Sequence, residues 1–280
     1  MHHLSLRAEA AKEELRERLT RLRGDSFRPP SASIVIPVNA QADISAILKI
    51  LSDLAVYQGN HHFDITLVIN NYSLDRIPTE ITEFELLGVD VIAIPKVEHT
   101  GGVAIAARIP GVRAAKSENI ILFDADCRIQ NPTALLDWYI AQFEAGVHLA
   151  YTHVDYYNLP TGFSVKVRMW IHHASRWIRR TVFGIPTSRG SNYAMQRSLM
   201  LDLYEKGRLP YDFHVGLETK KNGGRISYNG SKDLVVYTSG RFFSGGWKEL
   251  VEYLVWRIGY YWRMLHLKQE PRTFNGTDGE

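Results

Sequence analysis

The sequence has little cysteine, little net charge and no long apolar run, and each shortage excludes a class of protein. Cys127 is the only cysteine, so no disulfide can form within the chain, and a reducing compartment fits. The formal net charge is only +3, whereas a nucleic-acid-binding protein needs a concentrated basic surface. No apolar run approaches the roughly 20 residues of a membrane span, and the charged N-terminus lacks the apolar core of a signal peptide. We therefore expect a cytoplasmic protein without a nucleic-acid partner, and leave open peripheral contact with the inner face of a membrane.

Short apolar runs alternate with stretches of helical periodicity from residue 31 onward. Continuous hydrophobicity over the length of a strand indicates burial on both faces, as in a parallel sheet covered by helices. The alternation predicts an α/β fold with a doubly wound, mostly parallel sheet, whose ligands bind at the carboxyl ends of the strands. The four runs are SASIVIP, DITLVIN, VDVIAIP and ENIILFD.

The fourth of these runs ends in two carboxylates, Asp124 and Asp126, separated by one residue. Aspartate is a poor strand former and cannot be buried unpaired. Two like charges this close favour a cation beside them. A divalent metal with oxygen ligands satisfies that need and takes its remaining ligands from phosphates and water. The alternative is an Asp-x-Asp turn that caps the following segment.

With its neighbours, this run resembles the metal-binding region of family-2 glycosyltransferases of the GT-A fold, and the likeness covers about residues 31–241. The resemblance implies a GT-A-type doubly wound, mostly parallel sheet flanked by helices, and helical patterns outside it add an N-terminal helix and a C-terminal amphipathic helix. The other segments that carry the resemblance are residues 33–37, 67–75, 102–111, 189–197 and 210–218.

The resemblance also implies a division of the chain. Residues 1–28 form a charged helix and linker, which packs on the domain or mediates self-association. Residues 29–245 form the glycosyltransferase domain, with a nucleotide-binding half at 29–130 and an acceptor half at 131–245. Residues 246–280 form an aromatic and basic helix with a tail.

A metal-assisted transfer of a sugar from a nucleotide-diphosphate donor is the reaction that the resemblance implies. Asp124 and Asp126 would hold Mn²⁺ or Mg²⁺ against the donor diphosphate, with His214 as a candidate third ligand. Asp212 would take the proton of an acceptor hydroxyl, with inversion at the anomeric carbon; its alternative role is to cap the following helix. The acceptor is a carbohydrate, a small molecule or a lipid-linked group, and the oligomeric state is left open.

Six further residues are candidates for donor binding, together with Asp124. Three lie at the ends of the first two strands, and three are arginines whose guanidinium groups fit phosphate oxygens. For Arg108 and Arg189 the alternative is an ordinary surface salt bridge, and for Arg241 a simple turn. The six residues are Pro37, Asn39, Asn70, Arg108, Arg189 and Arg241.

Departures from the family pattern favour a second hypothesis, a degenerate relative that binds a nucleotide or a partner without turnover. Asn39-Ala40-Gln41 replaces the usual residues after the first strand, Asn70 stands where the family has aspartate, and Tyr211 replaces an acidic residue. A nucleotidyltransferase or a dinucleotide-dependent dehydrogenase would need a glycine-rich loop after the first strand, which residues 38–43 do not provide.

Two helical stretches, residues 165–183 and 247–267, interleave aromatic with basic residues. Such a pattern fits a membrane interface, and it also fits packing in the core or a dimer seam.

Overall fold

The computed structural model describes residues 2–24, 28–71, 80–95 and 103–240, together with residues 247–248, 251–252, 254–255 and 258–259. Contacts divide the chain into two compact units. The first comprises Met1–Asp155 and Gly184–Thr238, and the second comprises Tyr156–Phe183 and Ser239–Glu280. The domain boundaries expected from the sequence stay a prediction.

The strands agree with the apolar runs of the sequence. The apolar run VHLAYTHV at 147–154 is divided between two strands, because it contributes to two sheets. The strands are β1 (Ala32–Asn39), β2 (Phe63–Asn70), β3 (Asp90–Ala93), β4 (Asn119–Phe123), β5 (Arg128–Ile129), β6 (Leu149–Thr152), β7 (Val154–Tyr157), β8 (Asn192–Gln196), β9 (Ile226–Asn229) and β10 (Val236–Ser239).

The helices also follow the predicted periodicity. The helical stretch after the first strand, residues 43–57, begins as a 3₁₀ turn, Ile44–Ala46, and most of the helix predicted at 247–267 lies outside the described residues. The helices are α1 (His2–Arg23), α2 (Ile47–Leu54), α3 (Glu80–Leu86), α4 (Val103–Ala114), α5 (Pro132–Glu144), α6 (Phe163–Thr181), α7 (Arg197–Glu205) and α8 (His214–Lys221).

Seven strands form the main sheet in the order β3-β2-β1-β4-β8-β6-β9, and β5, β10 and β7 form a small second sheet. β1, β2, β3 and β4 pair in parallel, as predicted, and β6 pairs in parallel with β9. β8 runs antiparallel to both of its neighbours. The carboxyl ends of the first four strands therefore meet at one edge.

Both faces of the main sheet are buried along β1, β2 and β4, as the continuous apolar runs predict, whereas the edge strands β3 and β9 are only partly buried. Successive residues of β4 alternate between two apolar clusters: Ile121 lies in one, and Ile120 and Leu122 lie in the other. α1 belongs to the first cluster through Leu19 and Leu22, so this appended helix packs on the domain. The sheet thus forms a rigid, desolvated platform beneath the ends of its strands.

Candidate active site at the carboxyl end of β4

Arg108 is the centre of the site. It lies on α4, and its side chain is 0% exposed. One guanidinium nitrogen donates to Asp124 and another to Asp212, so the arginine joins the end of β4 to the segment before α8. The sequence predicted a phosphate contact or a surface salt bridge for this residue. The structure places it in a buried pair of salt bridges.

Close packing of α4 brings Arg108 to this position. Gly111 lies directly on the sheet, because a Cβ added there would come within 2.6 Å of Val35 and 2.7 Å of Val68 side-chain atoms. A larger residue would therefore push α4 away from β1 and β2. The absence of that side chain lets Arg108, one turn earlier, reach the carboxylate that follows β4.

Gly190 provides a second close approach. A Cβ there would lie 2.5 Å from Asp212 Oδ2 and 2.6 Å from Arg108 Nη2. The backbone of the loop before β8 therefore packs directly against the ion pair, with no side chain of residue 190 in between. Arg189, in the same loop, is half-buried and lowers the pKa of Asp212, which places its charge near that carboxylate.

The electrostatics of the cluster favour the charged form of Arg108. Burial alone would lower the pKa of the guanidinium, but the carboxylates of Asp212 and Asp124 outweigh it and raise that pKa above its usual value. For Asp212, burial raises the pKa of the carboxyl above its usual value, and Arg108 opposes the rise. Arg108 thus faces the carboxylates of Asp124 and Asp212, and Arg189 adds a second positive charge near Asp212.

Asp126 lies beyond Asp124 in a turn where the backbone N–H of Cys127 donates to the carbonyl of Asp124. Thr238 of β10 donates its hydroxyl to Asp126 Oδ1 at 3.0 Å. Asp124 and Asp126 are both partly exposed, so both carboxylates remain accessible to solvent. No residue pattern in the sequence indicated the contribution of Thr238.

Asp212 does not cap α8. The N-cap residue is Phe213, and no side chain caps the helix there. His214 opens α8, is buried, and places its Nδ1 3.2 Å from the carbonyl oxygen of Tyr211. Its ring stacks on the rings of Phe213 and Tyr211, whose centroids are 4.6 and 5.8 Å away. Among the described residues no group of three or more His, Cys, Asp or Glu side chains is placed to hold a metal ion.

The candidate donor-binding residues of the first two strands share one edge of the sheet. Asn39 and Asn70 end β1 and β2 and are register partners in the sheet, and Pro37 pairs with Val68. Asn39 Oδ1 accepts from the backbone N–H of Gln41 and from the side chain of Asn71, at 3.0 and 3.1 Å. Arg241 lies outside the described residues.

Tyr193 is a further polar residue that the sequence did not indicate. It lies on β8, and burial raises the pKa of its hydroxyl, while Arg108 opposes that rise. The hydroxyl is buried without a hydrogen-bond partner among the described residues. The pattern of the strand, in which apolar and polar residues alternate only weakly, gave no signal for it.

Comparison with known proteins identifies the architecture. No protein-family model matches the chain, and no curated protein matches it. Among solved structures, the mannosyltransferase PcManGT from Pyrobaculum calidifontis, in complex with GDP-Man and Mn²⁺, is similar with a TM-score of 0.56 and 14% identity, over 96% of this chain and 76% of that one. Residues 1–349 of TarS from S. aureus, in complex with UDP, are similar with a TM-score of 0.51 and 14% identity, over 86% of this chain and 67% of that one.

The chain has a GT-A-type fold. The fold class predicted from the sequence is thereby confirmed. Within the GT-A fold, the cluster of Arg108, Asp124 and Asp212 lies where parallel strands of an open α/β sheet present their carboxyl ends, which is the general position of ligands in such sheets.

Proposed function

We propose that this protein is a glycosyltransferase that moves a sugar from a nucleotide-diphosphate donor to an acceptor hydroxyl. The observation that carries the proposal is the meeting of Asp124 and Asp212, from distant parts of the chain, on one buried arginine at the carboxyl edge of a GT-A-type sheet. Two similar structures support the choice of donor, since one is a complex with GDP-Man and the other a complex with UDP.

Asp124 and Asp126 fit a divalent cation, Mn²⁺ or Mg²⁺. Their oxygens are hard ligands, both side chains are partly exposed, and Arg108 neutralises only part of the local charge. Two carboxylates leave the other positions of such an ion to diphosphate oxygens and water. When bound, the metal would supply charge stabilisation for the leaving nucleoside diphosphate. PcManGT, one of the similar structures, contains Mn²⁺.

Asp212 is the proposed base, acting in a single displacement with inversion. Arg108 bonds one of its oxygens and holds the carboxylate in place, which leaves the second oxygen to accept the proton of the acceptor hydroxyl. The pKa of this carboxyl is raised by burial, which makes it a stronger base than an exposed aspartate. Arg108 itself is assigned a positioning role between the base and the metal-binding carboxylate.

Donor binding tests the proposal directly. Calorimetry with UDP, GDP and dTDP sugars, each with Mn²⁺, Mg²⁺ or EDTA, is expected to find one donor that binds only with metal. Asp126→Ala should abolish that binding. Asp90→Ala should not, because Asp90 begins β3 and lies at the opposite edge of the sheet. Asp212→Asn should keep donor binding and lose transfer to the acceptor.

One observation favours the second hypothesis, binding without turnover. Arg108 engages both Asp212 and Asp124, which occupies part of each carboxylate. Metal-dependent donor binding without any release of nucleoside diphosphate, across carbohydrate, small-molecule and lipid-linked acceptors, would support this hypothesis over transfer. Failure of every donor to bind in every metal would overturn the transferase and leave the degenerate relative that binds a partner.

A further inference from the structure

The second compact unit contains a helix, α6, whose aromatic side chains face solvent. Phe163, Trp170 and Trp177 of α6 are 83%, 71% and 56% exposed. They are seven residues apart, which is close to two turns, so they form one aromatic stripe along the helix. Ile178, Val182 and Phe183 extend the exposed apolar surface at its C-terminal end.

The opposite face of α6 is basic and buried. Arg168, His172 and Arg176 are all nearly inaccessible to solvent. His172 contacts Tyr156, whose hydroxyl lies 3.0 Å from its Nε2. A surface helix of a water-soluble domain normally buries its apolar stripe and exposes its charges. α6 buries these basic side chains beside Val165 and Met169 and exposes its aromatic stripe, so its outer face favours an apolar environment.

Basic residues border the aromatic stripe. Lys166, His173 and Arg180 are also seven residues apart and lie about 60° around the helix from it. No aspartate or glutamate occurs between Asp155 and Asp202. The exposed face of α6 is therefore aromatic at its centre and positively charged at its edge.

A second stretch of the same unit shows the same exposure. Four of the five described large apolar residues of the C-terminal stretch are helical and exposed, and their spacings of four, four and three residues place them on one helical face. They are Trp247, Val251, Val255 and Ile258. The unit thus presents apolar side chains from two separate parts of the chain.

We infer that the α6 face binds the surface of a membrane containing anionic lipids. Tryptophan and phenylalanine insert at the boundary between headgroups and acyl chains, and lysine and arginine beside them attract anionic headgroups. A second copy of this chain is a poorer occupant, because two α6 faces would bring their basic edges together. Among the described residues no helix combines the length and apolarity needed to cross a bilayer, so the contact lies in the plane of the interface.

The test is sedimentation of the full chain with vesicles of phosphatidylcholine alone and of phosphatidylcholine with phosphatidylglycerol. We expect binding to the anionic vesicles, weakened by salt. Trp170→Gln with Trp177→Gln should weaken it by about ten-fold or more. Leu86→Gln, an exposed apolar residue of α3 in the first unit, should leave it unchanged.

A charge variant tests the same face without touching the aromatic residues. Lys166→Gln with Arg180→Gln should weaken binding to anionic vesicles by roughly five-fold per residue. Lys49→Gln with Lys232→Gln removes the same charge from the first unit and should have little effect. The charge variant also decides the question should the tryptophan variant fail to fold.

Three results would overturn the inference. The first is that the chain sediments with neither kind of vesicle. The second is that the α6 variants bind vesicles as well as their controls do. The third is that analytical ultracentrifugation finds a dimer, which the double substitution Trp170→Gln with Trp177→Gln dissociates. None of these results depends on donor binding, so the membrane contact and the proposed transferase activity are tested independently.

Discussion

Arg108 and Asp212 are 104 residues apart in the sequence and form a partly buried salt bridge. The same guanidinium also bonds Asp124, so the helix before β4, the end of β4 and the segment before α8 share one cation. Removing either partner of such a pair leaves a charge in a desolvated place, which is far costlier than losing a surface pair. The pair therefore couples the stability of the GT-A-type domain to the geometry of its proposed active site.

Arg108→Gln is expected to lower the free energy of unfolding by about 3–5 kcal/mol, because two carboxylates lose their buried counter-ion. Arg108→Lys should recover part of the stability but not the geometry of the two salt bridges. A guanidinium bonds the two carboxylates through separate nitrogens in one plane, and an ammonium group cannot reproduce that arrangement. Urea denaturation followed by circular dichroism measures both. Donor turnover, measured on variants that fold, should fall for both.

Arg113→Gln is the matched control for that experiment. Arg113 lies on the same helix and forms a surface pair with Glu205, with both side chains more than half exposed. Loss of this surface pair should lower the free energy of unfolding by roughly 0–1 kcal/mol. An equal effect of the two substitutions on stability would show that Arg108 has no special place in the fold.

Gly190→Ala should disturb the ion pair from the outside. The added methyl would lie 2.5 Å from Asp212 Oδ2 and 2.6 Å from Arg108 Nη2, so the two side chains must separate or the loop must shift. We expect a loss of about 1–3 kcal/mol in stability and a larger relative loss in donor turnover. In Gly230→Ala the new methyl meets only the hydroxyl end of Tyr228, at 3.1 Å, which can move aside. Unchanged turnover in Gly190→Ala would argue against tight packing at this loop.

Asp64 gives the stability of the fold a dependence on pH. It is buried on β2, where Ser33 donates to one oxygen at 2.7 Å and the other has no hydrogen-bond partner among the described residues. Burial raises the pKa of this carboxyl above its usual value of 3.8, although Ser33 and Lys116 oppose the rise. Between the two values the folded state binds more protons than the unfolded state, so the free energy of unfolding falls as pH rises through that range.

Asp64→Asn should remove this contribution. In urea denaturation at a series of pH values from 4 upward, the variant should gain stability relative to the wild type as pH rises. Glu85→Gln, which removes an exposed carboxylate of α3, serves as the control for loss of one charge. A difference between wild type and Asp64→Asn that does not change with pH would mean that Asp64 titrates alike in both states.

The fold was largely predictable because its signals are local. Four apolar runs of strand length predicted β1 to β4 and their parallel pairing, since only a sheet covered on both faces buries every residue of such runs. The split of the run at 147–154 into β6 and β7 was not predictable. It depends on where β10 lies in space, which no local pattern encodes.

The site was predictable in its residues but not in its connections. Asp124, Asp126, Asp212 and Arg108 were all named from sequence segments, and the proposed role of each stays a prediction. That Arg108 bonds two of the aspartates follows from the packing of α4 on the sheet through Gly111. The hydrogen bond from Thr238 to Asp126 links residues 112 apart in the sequence, and no pattern in either segment predicts it.

Thr238→Val tests whether that hydrogen bond orients Asp126 for a metal. Valine keeps the shape of threonine and removes the hydroxyl that donates to Asp126 Oδ1. If Asp126 is a metal ligand, the carboxylate then loses the partner that fixes its rotamer, and the affinity for Mn²⁺ in the presence of donor should fall by roughly 10-fold or more. Thr219→Val is the matched control, because Thr219 is equally buried but its hydroxyl has no hydrogen-bond partner among the described residues. That substitution should leave metal affinity unchanged and stability equal or slightly higher, since it removes an unsatisfied polar group. Calorimetric titration of Mn²⁺ into each variant separates the cases: a loss confined to Thr238→Val supports Asp126 as a ligand, and equal affinity in both variants would place the metal elsewhere.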